Sequence, residues 1–255
     1  MLPVLLVTFI PSITSAQSQT LFIKQGTTLD RSLGPHFSVP PASLMAFVTI
    51  FMLTTIVVYN SCFIPTVCRY TKNPSGIMLL QRFGIGLVLH IIISLTASFT
   101  KRKRLSVARA HGVFGKNETV PLTVFILLPH EFAILGLTDV FWRFQSKSFS
   151  NDQAPEGMKS LGASFFTTRK GVGNFLCTII LTTVSDITKR HGHGVWVLDN
   201  LNVSHLDYYY AFVAVLAFLN FLFFLLVAKF FVYNAEVKKY NNVDLNDQKT
   251  LQNIN

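Results

Sequence analysis

Six long apolar runs, separated by short polar stretches, dominate this sequence of 255 residues. A run of about 18 or more apolar residues is long enough to cross the hydrocarbon core of a bilayer as a helix. Only 13% of the residues are charged, whereas soluble domains carry about 25%. The sequence therefore predicts an all-α, polytopic membrane protein with six spans. These predicted spans cover residues 2–23, 42–63, 76–99, 122–144, 161–184 and 208–232.

The excess of basic residues, a net charge of +10, does not indicate a nucleic-acid-binding protein. The basic residues stand mainly between apolar runs, as in residues 101–104 and 189–190, where flanking charge is common. His191 and His193 lie in a basic loop and are predicted to be solvated, so no metal site is expected. The sequence has no GxSxG, HExxH or paired-carboxylate arrangement, so it does not predict an enzyme. The expected partner is the lipid bilayer.

The first apolar run, Leu2–Ile23, allows two interpretations. Leu2–Ile10 has the length of the apolar core of a secretory signal, and Thr14-Ser15-Ala16 ends in the small residue that cleavage prefers. However, no Lys or Arg precedes this core, and the uncharged stretch continues past Ala16 to Ile23. On the residues alone, a cleaved signal and a membrane helix both stay open.

Either interpretation of the first run places residues 24–41, 100–121 and 185–207 on the outer side of the membrane. Two sequons, at Asn117 and Asn202, fall in these segments and predict N-glycosylation. The positive-inside rule disagrees with this topology, because the outer segments hold much of the basic charge, so charge does not settle the orientation. The polar, Asn-rich residues 235–255 are predicted to form a disordered cytosolic tail.

Four phrases, in order along the chain, resemble plant nitrate/peptide transporters, which are proton-dependent oligopeptide transporters of the major facilitator superfamily. They resemble that family's seventh-helix exit and eighth-helix entry, its ninth helix, the turn into its eleventh helix and the start of its twelfth. The phrases are AQSQTLFIKQGTTLDRSLGPHFSVPPASL (16–44), GIMLLQRFGIGL (76–87), DQAPEGMKSLG (152–162) and NLNVSHLDYYY (200–210). The resemblance implies that the chain is the C-terminal, six-helix half of a superfamily transporter, and it favours the helix interpretation of Leu2–Ile23.

The same resemblance implies a function in membrane transport. Superfamily transporters bind substrate at the midplane between two six-helix halves, and this family is implied to couple nitrate, di- or tripeptide or related small solutes to a proton gradient, with no other cofactor. The family's E-x-x-E-R motif belongs to the first half and has no counterpart here, so the chain alone is expected to be incomplete and to need an N-terminal half. The alternative is a non-transporting, truncated or regulatory membrane polypeptide. The implied location is the plasma membrane or the vacuolar membrane.

Asp139 stands in the middle of an apolar run, in the phrase LGLTDVFW (135–142). A charged side chain in hydrocarbon costs roughly 2.5–3.5 kcal/mol on insertion scales, so we expect Asp139 to face a cavity or a cation. The resemblance aligns it with an acidic position on the family's tenth helix that faces the central cavity. Glu131, on the same predicted helix, is a second candidate for lining this cavity.

Arg169 and Lys170 lie inside the fifth predicted span, where the resembling sequences carry small or apolar residues. Two buried cations would cost roughly 5–7 kcal/mol on the same scale. We therefore predict that Asp139 is ionised and paired with Arg169 or, failing that, with Lys170, because all three lie near the middle of their helices. Gln17 and Asn174 are further candidates for the cavity lining, although a lone polar residue in a span more often makes an interhelical hydrogen bond.

Overall fold

The computed structural model describes residues 6–32, 36–71, 79–113, 115, 119–123, 129–148, 159–190, 196, 200–202 and 204–252. The described chain is helical except for short connections and two short strands, which confirms the predicted all-α fold. The helices are α1 (Phe9–Gln17), α2 (Ile23–Thr27), α3 (Met45–Val58), α4 (Ile64–Thr71), α5 (Leu79–Ala110), α6 (Pro129–Ser148), α7 (Lys159–Arg190) and α8 (Leu206–Gln252).

Two pairs of helices are joined by π-helical turns. Ser18–Phe22 joins α1 to α2, and Tyr59–Phe63 joins α3 to α4. Helical geometry continues through both turns, so each pair satisfies its backbone groups internally, as a segment in hydrocarbon must. A 3₁₀ turn, Pro41–Leu44, precedes α3 and has proline in its first positions, where the missing amide hydrogen costs no helical hydrogen bond.

Among the described residues, four helices are long and apolar enough to cross a membrane, judged by length and composition. They coincide with the second, third, fifth and sixth predicted spans. The first and fourth predicted spans lie partly outside the described residues, and residues 9–23 and 129–144 are helical. The predicted start of the fourth span at Leu122 is wrong, because Leu122 and Thr123 belong to a short strand, Val120–Thr123. Those two spans stay predictions. The four helices are Pro41–Thr66, Leu80–Ala110, Thr167–Arg190 and Leu206–Phe230.

Helix α5 is central to the packing. It contacts α8 and α6, while α6 also packs against α3, and α1 packs against α7. Phe22, in the π turn after α1, is 2% exposed and places its ring 5.9 Å from that of Tyr210 on α8 and 6.4 Å from that of Phe132 on α6. The end of the first predicted span is therefore part of the protein core.

Two glycines allow the closest helix contacts. A Cβ atom at Gly136 of α6 would lie 2.9 Å from the backbone nitrogen of Met52 and from the carbonyl oxygen of Val48, both on α3. A Cβ atom at Gly173 of α7 would lie 2.5 Å from the Cβ atom of Ser12 on α1. Membrane helices gain little hydrophobic energy from association, so small residues that let backbones approach largely determine which helices pack together.

A short parallel sheet connects the segment after α2 to the segment after α5. Strand β1 (Leu29–Asp30) pairs with β2 (Val120–Thr123), with Leu29 opposite Val120. Beside it, the buried Arg104 of α5 donates hydrogen bonds to the Thr28 hydroxyl and to the carbonyl oxygen of Leu201. The sequence placed the basic residues 101–104 after the end of the third predicted span, but α5 continues to Ala110 and buries two of them, Lys101 and Arg104.

Helix α8 is longer than the sixth predicted span. It begins at Leu206 and ends at Gln252, so it includes most of the segment 235–255, for which the sequence predicted no regular structure. Ala, Glu, Lys and Leu, which occur in this segment, are good helix formers. Extending an existing helix also avoids the cost of starting a new one.

Candidate functional site

Arg169 of α7 lies against two side chains of α6. The residue is 3% exposed, and its guanidinium carbon lies 4.4 Å from the centroid of the Trp142 ring. Asp139, which is half-buried, is close enough to interact electrostatically with the same guanidinium. Asp139 and Trp142 are three residues apart, so they share one face of α6. The structure therefore brings the predicted partners together, while a direct ion pair stays a prediction.

The Trp142 contact was not predicted from the sequence. A cation over an aromatic ring is stabilised by about 0.5–2 kcal/mol, whereas placing an arginine at the centre of a span costs roughly 2.5–3.5 kcal/mol on the insertion scale. The ring thus offsets only part of the cost of burying Arg169, and the negative charge of Asp139 offsets a further part. The sequence did offer a signal for this contact, because Trp142 follows Asp139 by one helical turn within an apolar run.

His90 of α5 completes this group of side chains. It is 2% exposed, and its ring lies 5.7 Å from that of Trp142 at an angle of 65°. Within the described chain, neither ring nitrogen of His90 has a hydrogen-bond partner. The charge of Arg169 also acts on His90. We call His90, Asp139, Trp142 and Arg169 the central cluster, which joins α5, α6 and α7.

Gln17 lies elsewhere and has a different environment. It is 1% exposed, and its side-chain nitrogen donates a hydrogen bond of 2.7 Å to the hydroxyl of Tyr209 on α8. This is the interhelical hydrogen bond that a lone polar residue in a span more often makes. Gln17 therefore connects α1 to α8 in the structure.

Glu131 belongs to a second group of charges, near the N-terminal end of α6. It is fully buried, beside the hydroxyl of Thr100 and the ammonium of Lys101 on α5. Asp207 of α8 also interacts electrostatically with Lys101. Glu131 and Asp139 are about 12 Å apart along the helix at 1.5 Å per residue, so the structure places them in separate clusters, and a shared cavity stays a prediction.

Lys170 and Asn174 are both exposed on α7. At about 100° per residue, Lys170 points away from the direction in which Arg169 enters the core. Thr167 and Thr178 continue the same exposed polar face, and Thr178 donates its hydroxyl hydrogen to the carbonyl oxygen of Asn174 at 3.1 Å. Only 11% of the residues in the most apolar part of this helix are buried. We call these four residues the polar face of α7.

The two predicted glycosylation sites have different outcomes. Asn117 lies outside the described residues. Asn202 is 1% exposed, and its side-chain nitrogen, the atom that would carry a glycan, donates a hydrogen bond of 3.0 Å to the carbonyl oxygen of Gly115. A glycan at Asn202 would therefore have to be added before this part of the chain folds. Glycosylation at both positions stays a prediction.

Comparison with known proteins gives consistent results. The model of the POT family (PTR2) matches residues 1–197. The chain is 54% identical to Protein NRT1/ PTR FAMILY 5.2 of Arabidopsis thaliana over 93% of its own length and 40% of the relative's. It is 50% identical to Protein NRT1/ PTR FAMILY 5.3 of the same plant over 100% of its length and 43% of the relative's. The chain thus spans about two fifths of these relatives.

Two solved structures share the fold. A crystal structure of an auto-inhibited POT family peptide transporter superimposes on 89% of this chain, with a TM-score of 0.64 and 20% sequence identity. The match covers 40% of the transporter chain. The in meso crystal structure of the POT family transporter PepTSo matches 89% of this chain and 41% of the transporter chain, with a TM-score of 0.63 and 18% identity. At these identities the likeness concerns the fold alone. It confirms that this chain has the fold of about two fifths of these transporter structures.

Proposed function

The chain belongs to the POT family, and we propose that it supplies the C-terminal wall of the transport path in a proton-coupled symporter for a small solute. The solute class is nitrate, a di- or tripeptide, or a related compound. The opposite wall would come from an N-terminal half, because the chain spans about two fifths of its relatives. We propose the plasma membrane or the vacuolar membrane as its location.

The polar face of α7 is the observation that carries this proposal. Lys170 and Asn174 are exposed on a helix long and apolar enough to cross a membrane. A charged side chain facing hydrocarbon costs roughly 2.5–3.5 kcal/mol, so such residues in membrane proteins usually face water or another part of the bundle. A water-filled path closed by a second half would provide that environment.

Within this path, Lys170 and Arg169 have different roles. Lys170 is exposed and therefore available to an anionic group, such as nitrate or a peptide carboxylate, and Asn174 lies one turn away with an amide that can donate a hydrogen bond. Arg169 is buried against Trp142, so it positions α7 against α6. Asp139, half-buried beside Arg169, supplies the negative charge that acts on that guanidinium.

Reconstitution with a partner half tests the proposal. The chain would be co-expressed with the N-terminal part of Protein NRT1/ PTR FAMILY 5.2, and uptake of labelled nitrate and dipeptides into liposomes would be measured with and without an inward proton gradient. We expect gradient-dependent, saturable uptake with both halves and none with either half alone. Lys170→Gln should reduce that uptake at least tenfold, whereas Lys189→Gln, an exposed lysine at the end of the same helix, should not.

Two results would contradict this function. Saturable uptake by the chain alone would show that it needs no second half. Association of the two halves without any uptake would favour the alternative of a non-transporting, regulatory polypeptide.

A further inference from the structure

An apolar groove runs along one side of the helix bundle and has no part in the proposed transport path. Its floor is Leu137 and Phe141 of α6. Thr54 and Val58 of α3 form one wall, and Ile85 and Leu89 of α5 form the other. The groove has a cavity volume of about 440 Å³.

The groove has the depth of one bilayer leaflet. It extends from Phe51 in α3 to Phe63 in the following π turn. This distance is about 18 Å along a helix that rises about 1.5 Å per residue, whereas one leaflet contributes about 15 Å of hydrocarbon. Both walls belong to helices long and apolar enough to cross a membrane, so we expect the groove to open toward lipid.

The lining favours a hydrocarbon chain over a polar solute. The hydroxyl of Thr54, on the exposed wall, donates its hydrogen to the carbonyl oxygen of Ile50 at 2.9 Å. The floor and the α5 wall consist of aliphatic and aromatic side chains. A polar ligand would lose its hydration here without comparable hydrogen bonds in return.

One end of the groove carries a positive charge. Arg82 precedes Ile85 by three residues on α5, so both lie on the same helix face. It also interacts electrostatically with Tyr59, which lines the groove. The predicted topology places this end on the cytosolic side, where anionic lipids are concentrated, and a guanidinium can bind a phosphate through two hydrogen bonds.

We propose that this groove binds one anionic glycerophospholipid. One acyl chain lies along Leu137 and Phe141, and the phosphate binds Arg82. The ligand would hold α3, α5 and α6 together at a place where the three helices leave a gap between them.

Native mass spectrometry of the full chain in mild detergent tests this site, with phosphatidylglycerol and phosphatidylcholine as probes. We expect phosphatidylglycerol to bind at least tenfold more tightly than phosphatidylcholine. Arg82→Gln should bring the two affinities within about twofold of each other, because the charge is lost but the groove remains. Leu137→Trp should weaken both lipids at least tenfold, because the indole occupies the floor.

Matched controls separate a specific site from general lipid attraction. Lys229→Gln removes a basic residue, and Leu219→Trp enlarges an exposed residue of α8; neither should change the affinities. Equal loss of preference in Lys229→Gln and Arg82→Gln would overturn the proposal, as would unchanged binding in Leu137→Trp. Should Leu137→Trp fail to fold, Thr54→Phe would fill the groove from its exposed wall, and unchanged binding in that variant would overturn the proposal equally.

Discussion

Replacing Asp139 with asparagine should destabilise the folded chain, because it removes the negative charge that acts on the buried Arg169 guanidinium. Breaking a fully buried ion pair costs about 3–5 kcal/mol, whereas an exposed pair contributes about 0–1 kcal/mol. Arg169 is 3% exposed but Asp139 is only half-buried, so we expect a loss between these limits, about 2 kcal/mol.

A double-mutant cycle separates the interaction from other effects of the substitution. Arg169→Leu removes the cation and leaves an apolar side chain beside Trp142, so Asp139→Asn should cost much less in that background. We expect a coupling energy of about 1–2 kcal/mol between the two positions. Unfolding would be measured in mixed micelles against the fraction of denaturing detergent, followed by far-UV circular dichroism.

The neighbouring lysine supplies the control. Lys170 is exposed on the other side of α7, so the cycle of Asp139→Asn with Lys170→Leu should give a coupling energy below about 0.5 kcal/mol. If the Arg169 cycle gives no larger value, Asp139 and Arg169 do not stabilise each other. A free carboxylate facing the transport path would then be the better interpretation of Asp139.

Two further pairs of substitutions test the helix packing. Gly173→Ala should cost about 1–3 kcal/mol of folding stability through overpacking against Ser12. Gly171→Ala, where the added Cβ atom meets nothing within 4 Å, should be neutral or slightly stabilising. The melting temperatures of the two variants would be compared in detergent, and equal values would contradict the close contact of α1 and α7. Gln17→Leu and Tyr209→Phe should each cost about 0.6–1.7 kcal/mol of folding stability. Because both variants remove the same hydrogen bond, the double variant should cost clearly less than the sum of the two in the same unfolding assay. Strict additivity would show that the bond contributes nothing.

The class of protein and most of the helices could be predicted from the amino-acid sequence. Apolar runs of this length have few structural options in a bilayer, because backbone groups must be satisfied within each helix. The phrases DQAPEGMKSLG and NLNVSHLDYYY identified the family correctly, and four of the predicted spans overlap apolar helices of the structure. These features depend on local sequence, so they can be read without knowing which helices are neighbours.

The direction in which each polar side chain points could not be predicted, because it depends on how the helices pack. Arg169 and Lys170 are adjacent in the sequence, yet one is buried against Trp142 and the other is exposed. Lys101 and Arg104 stand in a basic run that was predicted to flank a span, but both are buried in the folded chain. The reason is that the rotation of a helix about its axis depends on contacts with residues distant in sequence, such as that of Gly173 with Ser12, and no local pattern contains those contacts.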